Sequence, residues 1–205
     1  MRRLAARGFT LIELLLALSI VATMLVVLFA GLGVGVRAWR QGEARAEGLE
    51  RERGLAQLLS RPLAAAFPYL GAADRAGARA IFFKGESDRL AFVTLAPPVL
   101  LSPSIAFTAV TLEMRRQRAP ALVIRAKALP NLDPFGPTPA AVEDPAVTGI
   151  RFRYLREPSA PWQEQWDAAQ ERALPRVVEI AVTTAEAGQL RPQSPIVVTI
   201  RAAIP

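Results

Sequence analysis

The sequence predicts an α+β chain, a long N-terminal transmembrane helix followed by a C-terminal domain of mainly antiparallel β-sheet. Three observations carry this expectation. Between Phe9 and Val36 the only ionisable residue is Glu13, and from 38 to 66 the chain is rich in Ala, Leu, Arg, Gln and Glu, which are good helix formers. Beyond Pro68 short apolar or alternating runs are separated by turn residues, with no helical pattern between them.

The N-terminal helix comes first. From Leu14 to Gly35 only Ser19 and Thr23 carry polar side chains. At a rise of about 1.5 Å per residue, about 20 such residues span a hydrocarbon core of about 30 Å. Arg2, Arg3 and Arg7 precede the run, and the positive-inside tendency assigns them to the cytoplasm and sends the rest of the chain across the membrane. Arg37 and Arg40 on the far side soften that contrast. A secretory signal has a shorter apolar core closed by a small-residue cleavage site, whereas here the apolar run continues past any such length, which argues against the competing cut within 17–22.

Glu13 stands out because a carboxylate near the edge of hydrocarbon costs a few kcal/mol unless it finds a partner. Two readings of it stay open on the residues alone. If the chain is cut between Gly8 and Phe9, the new α-amine lies four residues before Glu13, and the amine of a neighbouring subunit shifted along the helix axis could meet this carboxylate. Alternatively Glu13 snorkels to the headgroups.

The stretch Arg7-Gly8-Phe9-Thr10-Leu11-Ile12-Glu13-Leu14 closely resembles the type IV prepilin processing signal. The resemblance implies that a prepilin peptidase cuts after Gly8 and N-methylates Phe9, and that Glu13, the fifth mature residue, supports recruitment of the subunit into a filament. It covers the leader and the anchor.

After the anchor the helix is expected to run on toward Pro62. Trp39, Ala46, Leu49, Ala56, Leu59 and Leu63 recur at helical spacing and form a stripe able to pack beneath a sheet, interrupted by Arg53. Trp39 falls where aromatic residues mark the membrane boundary. Gly31, Gly33 and Gly35 predict a local bend or melting, each weakening a helix by about 1 kcal/mol relative to Ala. Gly31 and Gly35 also fit the small-xxx-small pattern of close helix packing.

Strands are expected at 80–83, 90–95, 109–114, 121–126, 149–155, 177–183 and 196–200. The clearest alternates Ile150, Phe152 and Tyr154 with Arg151, Arg153 and Leu155, a buried face against a largely solvated one. Strands that follow one another without intervening helices favour antiparallel pairing. Five prolines between Leu129 and Pro145 predict a stiff surface loop without regular structure. Asn131, Asp133, Glu143 and Asp144 offer it oxygen ligands, but their spacing matches no calcium loop. Trp162 and Trp166, four residues apart, are expected on one shared patch, as a core or edge-covering pair or as a partner-binding surface.

Composition excludes several chemistries. The 205 residues contain no Cys and no His, which removes disulfides, thiolate sites, His-assisted hydrolysis and histidine zinc sites. No metal site and no cofactor is expected. The net charge of +7 includes three leader arginines; without them 22 basic residues face 18 acidic ones and the net charge is +4. The remaining arginines are scattered, so no nucleic-acid partner is expected.

The ordered series Gly149-Ile-Arg-Phe-Arg-Tyr-Leu155, Trp162, Trp166 and Leu174-Pro-Arg-Val-Val-Glu-Ile180, with Gly35-Val-Arg-Ala-Trp39 upstream, resembles the minor pseudopilin J family of type II secretion (GspJ). Residues 70–145 carry no motif of that family. The resemblance implies a non-enzymatic structural subunit at the pseudopilus tip that helps initiate assembly and export folded proteins across the outer membrane. Implied partners are the minor pseudopilins of I, K and H types, the major pseudopilin, the prepilin peptidase and inner-membrane lipid. The expected organisation is a leader at 1–8, a filament-packing transmembrane helix at 9–36, a periplasmic helical continuation at 37–66 and a periplasmic β-rich domain at 67–205. The N-terminus is expected in the cytoplasm. A minor pilin of a type IV pilus or DNA-uptake machine shares the same leader. A membrane-tethered periplasmic enzyme using Asp133, Glu143, Asp144 or Glu179 is the alternative from another class, although no spacing puts two of these carboxylates in one pocket.

Overall fold

The computed structural model describes residues 10–71, 80–99, 101–102, 105–117, 119–186 and 189–202. The chain forms two compact units, Met1–Arg51 and Glu52–Pro205. Helix α1, Leu11–Ala64, belongs to both.

In the first unit α1 is unbroken through Gly31, Gly33 and Gly35, so the expected melting does not occur. The surrounding apolar residues are good enough helix formers to carry three glycines. The apolar stretch is long enough to cross a membrane and is not buried. Trp39 and Leu49 are also exposed.

The second unit is built on two antiparallel sheets. The first has six strands in the order β5-β4-β3-β2-β1-β7: Val142–Asp144, Ala121–Ala128, Thr108–Arg115, Arg89–Thr94, Phe83–Gly85 and Trp166–Asp167. In the second, β6 (Val147–Leu155) pairs along one side of β8 (Val177–Glu186). Along the other side lie β9 (Gln189–Pro192) and then β10 (Ile196–Thr199). A four-residue helix, α2 (Ala168–Glu171), follows β7 and is capped by Asp167. The α+β expectation holds.

The main core lies among the last turns of α1 and one face of each sheet. Leu55, Leu59 and Leu63 of α1 join Phe92, Leu112 and Ile124 of the first sheet and Phe152, Ile180 and Val198 of the second. The helix face that packs is thus Leu55-Leu59-Leu63, spaced by four, and the predicted stripe holds only over its C-terminal turns. The centre of the first sheet is buried on its other face too, where Val93, Ala109 and Leu129 pack with Tyr69, Phe82, Phe107 and Phe135. Burial on both faces explains the nearly continuous apolar runs of β2 to β4.

The end of α1 is stitched to the end of β2. The buried Thr94 hydroxyl lies 2.7 Å from the Pro62 carbonyl and 3.2 Å from that of Ala65. The Leu95 N–H donates to Ala65 O, and the Phe67 N–H donates to Val93 O. The bonds to Pro62 O and Ala65 O serve carbonyls that a helix C-terminus leaves without intrahelical partners.

Two loop expectations change. Val142–Asp144 forms a three-residue strand inside the proline-rich segment, because the gap between Pro139 and Pro145 is just long enough to pair with β4. Trp162 and Trp166 do not present a shared patch. Trp166 is buried in β7 with its indole N–H on Ala173 O at 3.0 Å, whereas Trp162 is partly exposed beneath the Arg153 guanidinium. Gln163, between them, pairs with Tyr154 and turns the chain.

Candidate assembly site at the helix N-terminus

Glu13 lies in the first turn of α1. Its Oε2 accepts hydrogen bonds from the Thr10 N–H and the Thr10 hydroxyl, each at 3.0 Å. In return the Glu13 N–H donates to Thr10 Oγ1 at 3.4 Å. Thr10 is therefore the N-cap and Glu13 the third helical residue of a reciprocal capping box, which satisfies two of the N–H groups a helix start leaves open. Among the described residues no donor reaches Oε1. Gly8 and Phe9, the expected cleavage and methylation positions, lie outside the described residues.

Thr10 is the residue that the reading of the sequence passed over. Its signal was present, since Thr10-Leu-Ile-Glu13 followed by an apolar run is the S/T-x-x-E pattern of a helix start.

Behind this cap the helix surface is apolar and exposed from Leu14 through Leu32. Its two polar side chains are served within the helix: the Ser19 hydroxyl donates to Leu15 O at 2.9 Å and the Thr23 hydroxyl to Ser19 O at 2.8 Å. Neither hydroxyl needs water or another chain, as a hydrocarbon setting requires.

The carboxylates considered for catalysis are not brought together. Glu143 and Asp144 stand on β5 of the first sheet, where Glu143 faces Arg115 and Asp144 accepts the Ala146 N–H. Glu179, on β8 of the second sheet, takes Arg153 at 2.6 Å. In the proline-rich loop Asn131 Oδ1 accepts the Asp133 N–H at 2.9 Å, a local turn. Tyr154 is the one strongly perturbed titrating group outside the apolar N-terminal segment among the described residues. Burial, and secondarily the nearby Glu86 carboxylate, push its phenol well above the usual range.

Comparison with known proteins adds to this geometry. Residues 30–194 match the family described as Type II secretion system (T2SS), protein J. Residues 3–29 match the prokaryotic N-terminal methylation motif. A protein named Type II secretion system protein J from Xanthomonas campestris pv. campestris is 37% identical over 95 residues, which are 46% of this chain and 45% of that relative. The match thus spans less than half of the relative's length.

Proposed function

We propose, from the premise that this chain belongs to the type II secretion system protein J family, that it is a minor pseudopilin, a structural subunit of the secretion pseudopilus. The observation that carries the proposal is one chain holding both matches: the methylation motif over the helix start and the protein J family over the helix and the β-domain. The family match extends through 70–145, a stretch without a motif legible in the sequence.

In this reading the prepilin peptidase cuts between Gly8 and Phe9 and methylates the new Phe9 amine. Glu13 keeps its Thr10 bonds on Oε2 and offers Oε1 to the amine of a neighbouring subunit, a charge-assisted contact that fixes axial register. The exposed apolar surface of α1 holds the subunit in the inner membrane, N-terminus in the cytoplasm, and packs against other helices once the filament forms. The domain formed by 67–205, with the helical continuation at 37–66, sits in the periplasm and joins other minor pseudopilins at the tip, where it helps start assembly and export folded proteins. The β-domain acts by binding and performs no catalysis.

Intact mass and N-terminal sequencing of the chain, made with and without the peptidase, test this. A methylated N-terminus at Phe9 that depends on the peptidase is expected. A chain still beginning at Met1, or cut within 17–22, refutes it. Glu13→Ala is expected to leave cleavage intact and to lower incorporation into pseudopili.

A further inference from the structure

We infer that the free edge of β10 is a docking site for an extended strand from a different pilin-like subunit of the same filament. The inference rests on the functional reading above.

The observation is a row of backbone groups without a strand partner. The Ile200 N–H donates to Arg176 O at 3.0 Å, and the same register pairs Val198 with Val178 and Ile196 with Ile180. Hydrogen-bonded pairs in an antiparallel ladder recur every second residue. Ile196, Val198 and Ile200 thus spend their backbone groups on β8, while those of Val197 and Thr199 point the other way. Among the described residues no strand pairs with that side. The open stretch ends at Arg201, whose N–H donates to Ala64 O at 3.5 Å. Before that point the edge faces solvent, with Val197 60% exposed and Thr199 exposed as well.

The other sheet edges are blunted. Strand β5 is three residues long, carries the Glu143 contact to Arg115 and ends at Pro145. Strand β7 is two residues long. Strand β9 ends in Pro192 and holds an Arg191–Glu186 ion pair at 2.7 Å. The outer edge of β6 is occupied, since the Phe152 N–H donates to Ser87 O and Tyr154 pairs with Gln163. Among these described edges only Ile196–Thr199 has neither charge nor proline. Soluble proteins normally protect such an edge, and a row of alternate N–H and C=O groups is complementary to one ligand form, an extended backbone.

The neighbourhood sets the chemistry of that strand. At the start of β10 a groove of about 350 Å³ is lined by Leu55, Ala56, Val182, Pro195 and Ile196 together with Glu52, Arg53, Gln193 and Ser194. Alternate residues of the incoming strand, those on the Ile196/Val198 face, lie on the side of the sheet that packs against the core and are uncharged. Residues beside Val197 and Thr199 face solvent and accept polar side chains. A second copy of this chain fits less well. Subunits that enter a filament through the same N-terminal helix, all in one direction, are related by a screw, whereas pairing an edge with itself needs a two-fold.

The full chain has no Cys, so Val197→Cys and Thr199→Cys each place a single thiol on the edge. Either variant, labelled with a maleimide photo-crosslinker and co-expressed in membranes with the other pilin-like subunits of its secretion system, is expected to yield an adduct with one of them. A cysteine replacing Arg151, on β6 two strands away, yields none. Thr199→Pro removes an outward N–H and leaves the β8 ladder, which uses Val198 and Ile200, intact. Each such bond is worth about five- to tenfold in affinity, and co-purification with the partner falls by at least that factor. Val197→Lys, which keeps every backbone bond, reads out the same loss should the proline variant misfold. Adducts containing two copies of this chain, or partner recovery unchanged in the folded variants, overturn the edge assignment alone. If the unmodified chain co-purifies with no pilin-like subunit, the functional reading fails and the edge assignment with it.

Discussion

Replacing Tyr154 with phenylalanine changes the pH dependence of stability in a direction that the structure fixes. The ring is fully buried, packs edge-to-face on Phe83 with centroids 6.3 Å apart, and donates its hydroxyl to Glu86 O at 2.9 Å. Below about pH 10 the variant lacks one hydrogen bond, and because Glu86 is only half-buried its carbonyl can recover a water; the loss is about 1 kcal/mol. The phenol is an acid whose neutral form the fold favours. Its contribution to stability is therefore fully present below the unfolded value of about 10 and is lost as pH rises toward the higher folded value, at up to about 1.4 kcal/mol per pH unit. The phenylalanine side chain carries no ionisable proton, so the two stability curves converge above about pH 10 and cross between about pH 10.5 and 11. Urea unfolding of the detergent-solubilised full chain, followed by the fluorescence of the buried Trp166, measures both curves. Parallel curves from about pH 9 to 12 would refute the assignment of a buried, protonated phenol.

Three further outcomes follow from packing and capping. A Cβ on Gly85 would run into the Tyr154 ring, which buried neighbours hold in place, so Gly85→Ala is expected to cost about 1–3 kcal/mol in urea unfolding, and less when combined with Tyr154→Leu. Leu59→Ala opens a cavity where α1 meets both sheets and is expected to cost about 2–5 kcal/mol, whereas Leu49→Ala, at an exposed position, changes stability by less than about 0.5 kcal/mol. Thr10→Ala removes the capping box, about 1 kcal/mol of helix-start stability, and is expected to speed amide exchange at Ile12 and Glu13 while Thr10→Ser preserves protection.

The helix and the longer strands were legible because their burial follows local periodicity, as in Ile150, Phe152 and Tyr154. Strand ends and the short strands were not. Trp166-Asp167 becomes β7 because Lys84 and Gly85 lie alongside, a neighbour about 80 residues away in sequence that no local pattern encodes. Gln189–Pro192 looks like loop and pairs only because the chain turns back along β8. The packing stripe was set too far toward the N-terminus for the same reason: where α1 becomes buried depends on where the sheets begin, and they meet Leu55, not Ala46 or Leu49. Leu155, expected on the solvated side of its strand, is buried at the strand end, where its carbonyl accepts the Arg176 N–H. At the site, Glu13 was visible as the single charge in an apolar run, and its partner Thr10 was encoded in a spacing as local as any on the chain.

The junction between α1 and β2 determines how the domain feels a load. Strand β2 is paired on both sides: β3 holds one side over six residue pairs, and on the other β1 holds residues 90–92 while Ala66 and Phe67 take over at Val93 and Thr94. Tension or thrust on the last turns of α1 passes through Pro62, Ala65 and Phe67 to Val93, Thr94 and Leu95, at the end of a strand of the largest sheet. To detach the helix, that clamp must rupture together with the burial of Leu59 and Leu63, so strain spreads across several strands before any one of them peels. Within the second unit, the last turns of α1 and the sheets therefore yield together rather than one strand at a time.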